Sequence, residues 1–299
     1  MQPQNPFYSL HRQGFVRVAA CTPRMSVADP RANADETLAL MHDGEARNAI
    51  DDLLLQDALL DGVEAALAKL LEASLHLRPV FILGAPVRRN GRLYNCGVVI
   101  SRGKILGVTP KSFLPNYREY YENRWFAAGI GMTGLDVTLA GQTAPFGTDL
   151  IFAAADLPDF VFHLEICEDF WAADPPSTRG ALAGALILCN LSASNIVVGK
   201  ADDRAVLCAS QSLRCHAAYV YSAAGPGEST TDLAWDGQAT IHELGALLAR
   251  TRRFPTESQM AVADVDVERL RLERGRRLTA KSGGGADGHP EKAFGGMGY

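Results

Sequence analysis

Apolar residues occur along this chain in two kinds of run, short ones of strand length and longer ones with helical spacing. Residues 15–21, 160–166 and 186–190 are short and dominated by apolar side chains, which predicts buried strands. Residues 51–77 carry leucines at helical spacing, and residues 203–217 form a second predicted helix. Because strand and helix patterns alternate but hairpins interrupt them, the pattern predicts an α/β fold with mixed sheets.

Turn signals separate these runs, and the pattern stops near the end of the chain. The Asn90-Gly91 dipeptide lies between two apolar runs, which is a strong hairpin signal. Residues 80–84 are predicted to form a buried strand that ends before Pro86. Residues 282–299 are rich in glycine and lack apolar periodicity, which predicts a disordered tail. The expected organisation is one folded domain over residues 1–281, followed by that tail.

Composition and charge exclude several classes of partner. Hydrophobic residues make up 47% of the chain and charged residues 21%, an ordinary balance for a globular domain. The formal net charge of −5 provides no basic surface for nucleic acid. No run approaches the roughly 18 apolar residues of a membrane span, and residues 1–14 lack the apolar core of a signal peptide. We therefore expect a cytoplasmic protein without nucleic-acid or membrane partners.

The spacing of the six cysteines argues against a disulfide framework and against a metal site. They are Cys21, Cys96, Cys167, Cys189, Cys208 and Cys215, and no two of them form a C-x-x-C pair. Free cysteines of this kind are typical of a reducing compartment.

Cys167 lies where a predicted strand ends, and acidic residues follow it directly. A nucleophile is well displayed at such a point, because the strand fixes its direction. The neighbouring carboxylates of Glu168 and Asp169 disfavour a thiolate unless a cation lies beside it. The placement of Cys167 therefore predicts a cationic partner elsewhere in the chain.

Two other predicted strand ends carry polar groups that could meet Cys167. Lys111 follows the predicted strand 105–110, and residues 190–200 follow the predicted strand 186–190. Groups at the carboxyl ends of neighbouring strands converge at one edge of a sheet. A lysine ammonium beside Cys167 would favour the thiolate and stabilise an oxyanion, but amide hydrolysis also needs a base that takes the thiol proton.

Each of these residues also has an ordinary structural interpretation. A strand-end lysine is more often a solvated charge, and a buried cysteine is more often a small core residue. Tyr117 and Ser194 are compatible with packing and turn formation, and Lys200 with solvent exposure. The residues taken singly therefore leave the structural and the catalytic interpretation open.

Several longer motifs are highly specific when taken together. They are residues 13–19 (QGFVRVA), 110–122 (PKSFLPNYREYYE), 165–169 (EICED), 190–194 (NLSAS), 227–232 (GESTTD) and 235–237 (WDG). With these motifs the chain resembles the nitrilase (carbon–nitrogen hydrolase) superfamily, and within it the glutaminase domain of glutamine-dependent NAD synthetases, over residues 5–277.

The resemblance implies a four-layer αββα sandwich and a Glu-Lys-Cys triad that hydrolyses glutamine through a cysteine thioester. In the family, the released ammonia passes to a synthetase domain, which uses ATP to amidate nicotinate adenine dinucleotide to NAD. This chain shows no glycine-rich phosphate loop, so no cofactor is expected to bind it. The expected partners are glutamine, a synthetase domain that is absent from this sequence, and further copies of the chain in a homo-oligomer.

The same resemblance assigns roles to five residues by their positions in the motifs. Cys167 resembles the nucleophile and Lys111 the triad lysine. Tyr117, Ser194 and Lys200 resemble the residues that hold the glutamine substrate. A cation in a loop between a strand and a helix suits the carboxylate of such a substrate.

One part of the family pattern is missing from the first third of the chain. In the family, a strand that carries the catalytic glutamate lies between the first two helices. Here a predicted helix over residues 31–41 is followed directly by the predicted helix 51–77, and no strand-like run lies between Cys21 and Pro79. This predicts an internal deletion near residues 42–51, the loss of one central strand, and a site without its general base. Loss of a central strand also predicts unpaired sheet edges.

Two glutamates near the motifs, Glu45 and Glu122, are not expected to replace that base, and Glu168 has a different candidate role. Glu45 is the nearest acid in sequence, yet nothing places it at the end of a strand. Glu122 resembles a second active-site glutamate of the superfamily and could polarise Lys111. Glu168, beside the nucleophile, is a candidate contact for the amino group of the substrate.

These observations support three functional hypotheses. The leading one is hydrolysis of the glutamine amide to supply ammonia for NAD biosynthesis, impaired by the missing base. The second is a stand-alone amidase that acts on another small amide, and the third is a catalytically dead binding or assembly subunit. Tyr117, Ser194 and Lys200 favour glutamine as the substrate, whereas the missing glutamate favours the third hypothesis.

Overall fold

The computed structural model describes residues 10–43, 55–225, 227–228, 233–276 and 291–294. Its strands are β1 (Phe15–Thr22), β2 (Phe81–Arg89), β3 (Arg92–Ser101), β4 (Lys104–Pro110), β5 (Leu135–Leu139), β6 (Gln142–Phe146), β7 (Ile151–Ala154), β8 (Val161–Ile166), β9 (Ile187–Ser192), β10 (Ala218–Ala223), β11 (Thr240–Glu243), β12 (Ala246–Arg250), β13 (Gln259–Asp266) and β14 (Glu291–Phe294). Its helices are α1 (Pro30–Asp43), α2 (Asp57–Ser74), α3 (Pro176–Leu182), α4 (Lys200–Cys215) and α5 (Val267–Arg276).

The described strands form three sheets. Seven strands form a mixed sheet in the order β12-β11-β10-β9-β8-β7-β14. Five strands form a second sheet in the order β2-β3-β4-β6-β5, and β1 forms a two-stranded sheet with β13. At the centre of the seven-stranded sheet, β8, β9 and β10 run parallel, so their carboxyl ends lie at the same edge.

Three apolar cores join four layers. The first core lies between the facing sheets and includes Leu164 of β8 and Val99 of β3. The second joins α1 and α2 to the outer face of the five-stranded sheet, where Leu67 shares a cluster with Val98. The third joins α3 and α4 to the outer face of the seven-stranded sheet and includes Cys208 of α4. The fold is therefore the expected four-layer αββα sandwich with mixed sheets.

β1 and β2 each have one edge that pairs with no other described strand. β1 pairs antiparallel with β13 on one side, and β2 pairs antiparallel with β3 on one side. Every open sheet ends in such edges, so the predicted loss of a central strand stays a prediction. Residues 44–54, which contain Glu45 and most of the predicted deletion at 42–51, lie outside the described residues.

Two element boundaries differ from the sequence prediction. β2 continues through Pro86, which lies opposite Asn95 of β3, so the predicted end of a strand before Pro86 is wrong. An edge strand tolerates proline, because a missing N–H on its unpaired side removes no hydrogen bond from the sheet. The predicted helix 51–77 is too long, because α2 covers Asp57–Ser74.

The predicted tail also differs in one segment. Residues Glu291–Phe294 form β14, which pairs in parallel with β7 at the edge of the seven-stranded sheet. The prediction of disorder is wrong for these four residues, since main-chain hydrogen bonds to a free sheet edge need no apolar pattern. The other residues of the range 282–299 lie outside the described part of the chain.

Membrane insertion through a helix finds no support in the fold. Among the described helices, none combines the length and the apolar character that a membrane crossing requires.

Candidate active site

Cys167 follows the last residue of β8 and begins a 3-10 turn, Cys167–Trp171. Its φ is +49°, in the left-handed region that residues other than glycine rarely adopt. The residue is buried, with 6% of its surface exposed. A strained residue at a strand end is a known way to display a nucleophile, because the turn directs its side chain out of the sheet. The structure therefore supports the interpretation of Cys167 as more than a core cysteine.

Lys111 follows the last residue of β4, and its side chain is 1% exposed. Its backbone N–H donates to the carbonyl of Asn95 at 2.8 Å, which fixes the strand end against β3. Its Nζ donates to both carboxylate oxygens of Glu122, each at 2.7 Å. Burial acts to lower the pKa of Lys111, but the negative charges of Glu122 and of a Cys167 thiolate outweigh it and raise that pKa. Lys111 is therefore a buried ammonium rather than a solvated surface charge.

Lys111 and Cys167 approach each other across the sandwich. β8 belongs to the seven-stranded sheet and β4 to the five-stranded sheet, and the two strands pack face to face. The sequence argument placed both groups at the ends of neighbouring strands in one sheet, and this is wrong for Lys111. It is right for residues 190–200, because they follow β9, the parallel neighbour of β8.

Tyr117 contacts Glu168, the acid that follows Cys167. Its hydroxyl donates to Glu168 Oε1 at 2.8 Å, although half of the tyrosine is exposed. Partial burial and the Glu168 carboxylate together raise the pKa of Tyr117, so its hydroxyl remains a donor at neutral pH. The pair presents a carboxylate next to Cys167, where it could accept hydrogen bonds from a substrate ammonium.

Lys200 is the first residue of α4, directly after Gly199 with φ of +83°. The positive end of the helix dipole disfavours a cation there, so its position calls for compensating contacts. Its Nζ donates to Asn195 Oδ1 and lies 5.7 Å from the ring centre of Tyr120 and 5.4 Å from that of Trp171. Burial lowers its pKa, and the charges of nearby acids and of a Cys167 thiolate oppose this. Lys200 therefore belongs to the same charged cluster as Cys167.

Ser194 lies two residues after β9 and is 1% exposed. Its Oγ makes no hydrogen bond with the described residues. A buried hydroxyl without a protein partner is available for a ligand. The next residue, Asn195, accepts a hydrogen bond from the Tyr120 hydroxyl at 2.8 Å and donates to Glu119, which holds this loop beside Lys200.

The structure adds site residues that the sequence pattern did not single out. They are Glu119, Tyr120, Trp171, Asn195 and Tyr221. The aromatic-rich loop 117–126 was the available signal for Tyr120, since packed rings next to a conspicuous lysine suggest a cation site. The others act through contacts between distant segments, which no local pattern reveals.

No carboxylate among the described residues forms a hydrogen bond with the Cys167 sulfur. The acids around it have other partners: Glu122 binds Lys111, Glu168 binds Tyr117, and Asp169 accepts backbone amides. Among the residues that the structure covers, no group of three or more His, Cys, Asp or Glu side chains could hold a metal ion.

Comparisons with known proteins place this geometry in one family. A sequence profile described as carbon-nitrogen hydrolase matches residues 45–274. The glutamine-dependent NAD(+) synthetase of Mycobacterium tuberculosis (strain ATCC 25618 / H37Rv) is 54% identical over 287 residues, which cover 91% of this chain and 42% of the relative. The protein of the same name from Aquifex aeolicus (strain VF5) is 30% identical, over 74% of this chain and 35% of the relative. The chain thus spans less than half the length of these relatives.

Solved structures agree on the fold. A glutamine-dependent NAD(+) synthetase from Cytophaga hutchinsonii superposes with a TM-score of 0.71 at 24% identity, over 84% of this chain and 43% of that one. A carbon-nitrogen hydrolase from Helicobacter pylori G27 superposes with a TM-score of 0.68 at 15% identity, over 90% and 97% of the two chains. The chain therefore belongs to the carbon-nitrogen hydrolase family.

Proposed function

We propose that this chain hydrolyses the side-chain amide of glutamine through a thioester on Cys167. The observation that carries the proposal is the buried Lys111 ammonium, which donates to both carboxylate oxygens of Glu122 and brings a positive charge near Cys167. A thiolate stabilised by a neighbouring ammonium is a competent nucleophile toward an amide carbonyl. The names of the relatives support glutamine as the source of nitrogen.

The chemistry needs two additions to the same carbonyl carbon. In the first, the bond between the Cys167 sulfur and the carbonyl carbon forms, and the carbon–nitrogen bond then breaks and releases ammonia. The thiol proton leaves with that nitrogen. In the second, water attacks the thioester, the carbon–sulfur bond breaks, and glutamate leaves while a proton returns to sulfur. The Lys111 ammonium would stabilise the oxyanion formed in each addition.

The residues around Cys167 suit both charged ends of glutamine. Lys200 carries a desolvated ammonium that would pair with the α-carboxylate. The Glu168 carboxylate, held by Tyr117, would accept hydrogen bonds from the α-amino group. The Ser194 hydroxyl supplies a further polar contact. This arrangement favours glutamine over an amide without charged groups.

The site lacks an evident base for the proton of the Cys167 thiol among the described residues. In this part of the chain, no carboxylate accepts a hydrogen bond from the Cys167 sulfur, because Glu122, Glu168 and Asp169 bind Lys111, Tyr117 and backbone amides instead. We therefore propose an impaired enzyme, in which Cys167 is acylated slowly and turns over rarely. The same observation favours a second candidate function, a binding or assembly subunit without activity.

Beyond hydrolysis, we propose that the ammonia serves the formation of NAD, as the names of the relatives indicate. ATP and nicotinate adenine dinucleotide would then bind a synthetase domain and not the residues described here. We also propose a homo-oligomer in the cytoplasm. All six cysteines are free, which fits a reducing compartment.

The proposal is tested with a chloroketone analogue of glutamine and with an ammonia-release assay. We expect slow but specific labelling of Cys167, detected by peptide mass spectrometry, and very low steady ammonia release from glutamine. Cys167→Ala abolishes both signals. Rapid ammonia release that depends on Cys167 would show that another base serves, whereas an inert Cys167 would favour the binding subunit. Faster release from propionamide than from glutamine would support a stand-alone amidase.

A further inference from the structure

The carboxylate of Asp169 accepts hydrogen bonds from the residues that follow β4 and Lys111. Asp169 is 1% exposed and lies in the 3-10 turn that follows β8. Its Oδ1 accepts hydrogen bonds from the backbone N–H groups of Ser112 at 3.0 Å and Phe113 at 2.8 Å. The Ser112 N–H also lies 3.3 Å from Oδ2. These two residues come directly after Lys111, so the carboxylate fixes the chain where the lysine side chain departs.

The same carboxylate also accepts a hydrogen bond from the last residue of β8, the strand that leads to Cys167. Its Oδ2 accepts a hydrogen bond from the backbone N–H of Ile166 at 3.0 Å. Ile166 precedes Cys167, whose φ of +49° costs free energy in the absence of restraining contacts. The hydrogen bond between Asp169 and Ile166 closes the turn over Cys167 and so restrains this conformation. One buried side chain thus holds both strand ends.

We propose that Asp169 is a positioning residue that keeps the Lys111 ammonium beside the Cys167 sulfur. β4 and β8 lie in different sheets, so no ladder of main-chain hydrogen bonds sets their relative position. Asp169 supplies hydrogen bonds to both, and because it is buried these bonds have little competition from water. The proposal rests on the proposed pairing of Lys111 with Cys167 and adds the residue that maintains it.

The ionised carboxylate is the form that accepts all three amides. Burial raises the pKa of Asp169 to about 7. The amides of Ile166 and Phe113 and the charge of Lys111 oppose that rise, whereas the charge of Glu165 adds to it. The test is therefore carried out at pH 8 and above.

The experiment measures how fast iodoacetamide alkylates Cys167 between pH 8 and pH 10, followed on the Cys167 peptide by mass spectrometry. It compares the intact chain with Asp169→Asn, Lys111→Met and the double variant. Asparagine keeps the size of the side chain but places an NH2 group or a single oxygen where the carboxylate accepted on both sides. Asp174→Asn is the matched control, because Asp174 is an exposed acid a few residues further along the chain.

Asp169→Asn also removes a negative charge near Cys167, which by itself favours the thiolate, so a fall in rate reports the loss of positioning. The alkylation rate at pH 8 is expected to fall on the order of tenfold, which equals a shift of the rate profile by about one pH unit. Lys111→Met is expected to lower the alkylation rate by at least the same factor. The double variant is expected to react no more slowly than Lys111→Met alone. Asp174→Asn leaves the profile unchanged. The cycle isolates the coupling, because positioning by Asp169 changes the rate only when the lysine is present, whereas the direct effect of its charge on Cys167 remains without the lysine.

Two results would overturn the proposal. If Asp169→Asn lowers only the melting temperature and leaves the pH profile of the folded protein in place, the residue is merely structural. If its effect adds in full to that of Lys111→Met, it does not act through the lysine. A Lys111→Met variant with unchanged alkylation would instead refute the proposed pairing of lysine and cysteine, so the two failures are distinguishable.

Hydrogen exchange on the intact chain provides the test if Asp169→Asn does not fold. The amides of Ser112, Phe113 and Ile166 are expected to exchange at least a hundredfold more slowly than unprotected amides. Exchange of these three amides at the rate of an open loop would show that the carboxylate does not hold the two strand ends.

Discussion

Both carboxylate oxygens of Glu122 accept hydrogen bonds from the Lys111 ammonium, each at 2.7 Å. The ammonium is 1% exposed and the carboxylate 18%, so this ion pair is largely removed from water. Breaking such a pair on one side leaves an uncompensated buried charge. Glu122 therefore serves the site by keeping Lys111 charged, and this leaves it poorly placed to act as a base.

Glu122→Gln is expected to destabilise the protein because it leaves the buried Lys111 ammonium without its counter-charge. We expect a loss of about 2–3 kcal/mol in the free energy of unfolding, below the full effect for a completely buried pair because Glu122 is partly exposed. Urea denaturation measures it. Glu257→Gln is the control, since Glu257 pairs with Arg252 on the surface and should change stability by less than about 0.5 kcal/mol. Equal losses for the two variants would contradict the buried pair.

Lys200→Met is expected to remove selectivity for ligands that carry an α-carboxylate. The proposed charge-assisted contact is worth on the order of tenfold in labelling rate at subsaturating reagent. The measurement compares labelling of Cys167 by the chloroketone analogue of glutamine and by the same reagent without its carboxylate. The variant should react equally with both, whereas Lys104→Met, which removes an exposed lysine of β4, keeps the preference. A preference that survives in Lys200→Met would rule this role out.

His163 predicts an acid-sensitive contribution to stability. Burial lowers its pKa to about 4, although the contact of Nδ1 with the Leu150 carbonyl at 2.9 Å opposes this. Between pH 6.5 and pH 4 the unfolded chain therefore binds a proton at this histidine that the folded chain does not. The contribution is complete above about pH 6.5 and is lost as the pH falls toward 4, by about 3 kcal/mol in total.

The difference in unfolding free energy between the intact chain and His163→Asn, measured at pH 7.5, 6 and 5, isolates this effect. The advantage of the intact chain should shrink as the pH falls. His76→Asn is the control, because His76 is exposed. A constant difference between the intact chain and His163→Asn over this range would mean that His163 is not buried in its neutral form.

The unpaired edges of β1 and β2 predict self-association of the chain. An open strand edge offers main-chain donors and acceptors to another chain, and a lysine on such an edge blocks that pairing. Ala19→Lys places a charge on an exposed position of β1 and should reduce light scattering severalfold at equal protein concentration. Ala205→Lys on the exposed side of α4 adds the same charge without touching an edge. Equal effects of the two lysines would attribute the change to net charge.

The sequence by itself determined the element types, the fold class and the position of Cys167 at the end of a strand. Apolar runs of strand length correspond to β1, β8 and β9, and in β8 and β9 they are apolar because both faces of the strand are buried. The end of β8 before Cys167 could also be predicted from the sequence, because polar residues begin where the apolar run stops. The local sequence pattern did not predict that a strand continues through Pro86 or that residues 291–294 form one. At both places strand pairing depends on a free sheet edge and not on side-chain type.

Only the tertiary structure decided how the site is assembled. It brings Lys111 to Cys167 across two facing sheets, assigns Glu122 to the lysine, and gives Asp169 its hydrogen bonds to both strand ends. It also encloses Lys200 between two aromatic rings from separate loops. These contacts join residues far apart in the chain, and their energies depend on burial and distance, which arise only when the layers pack.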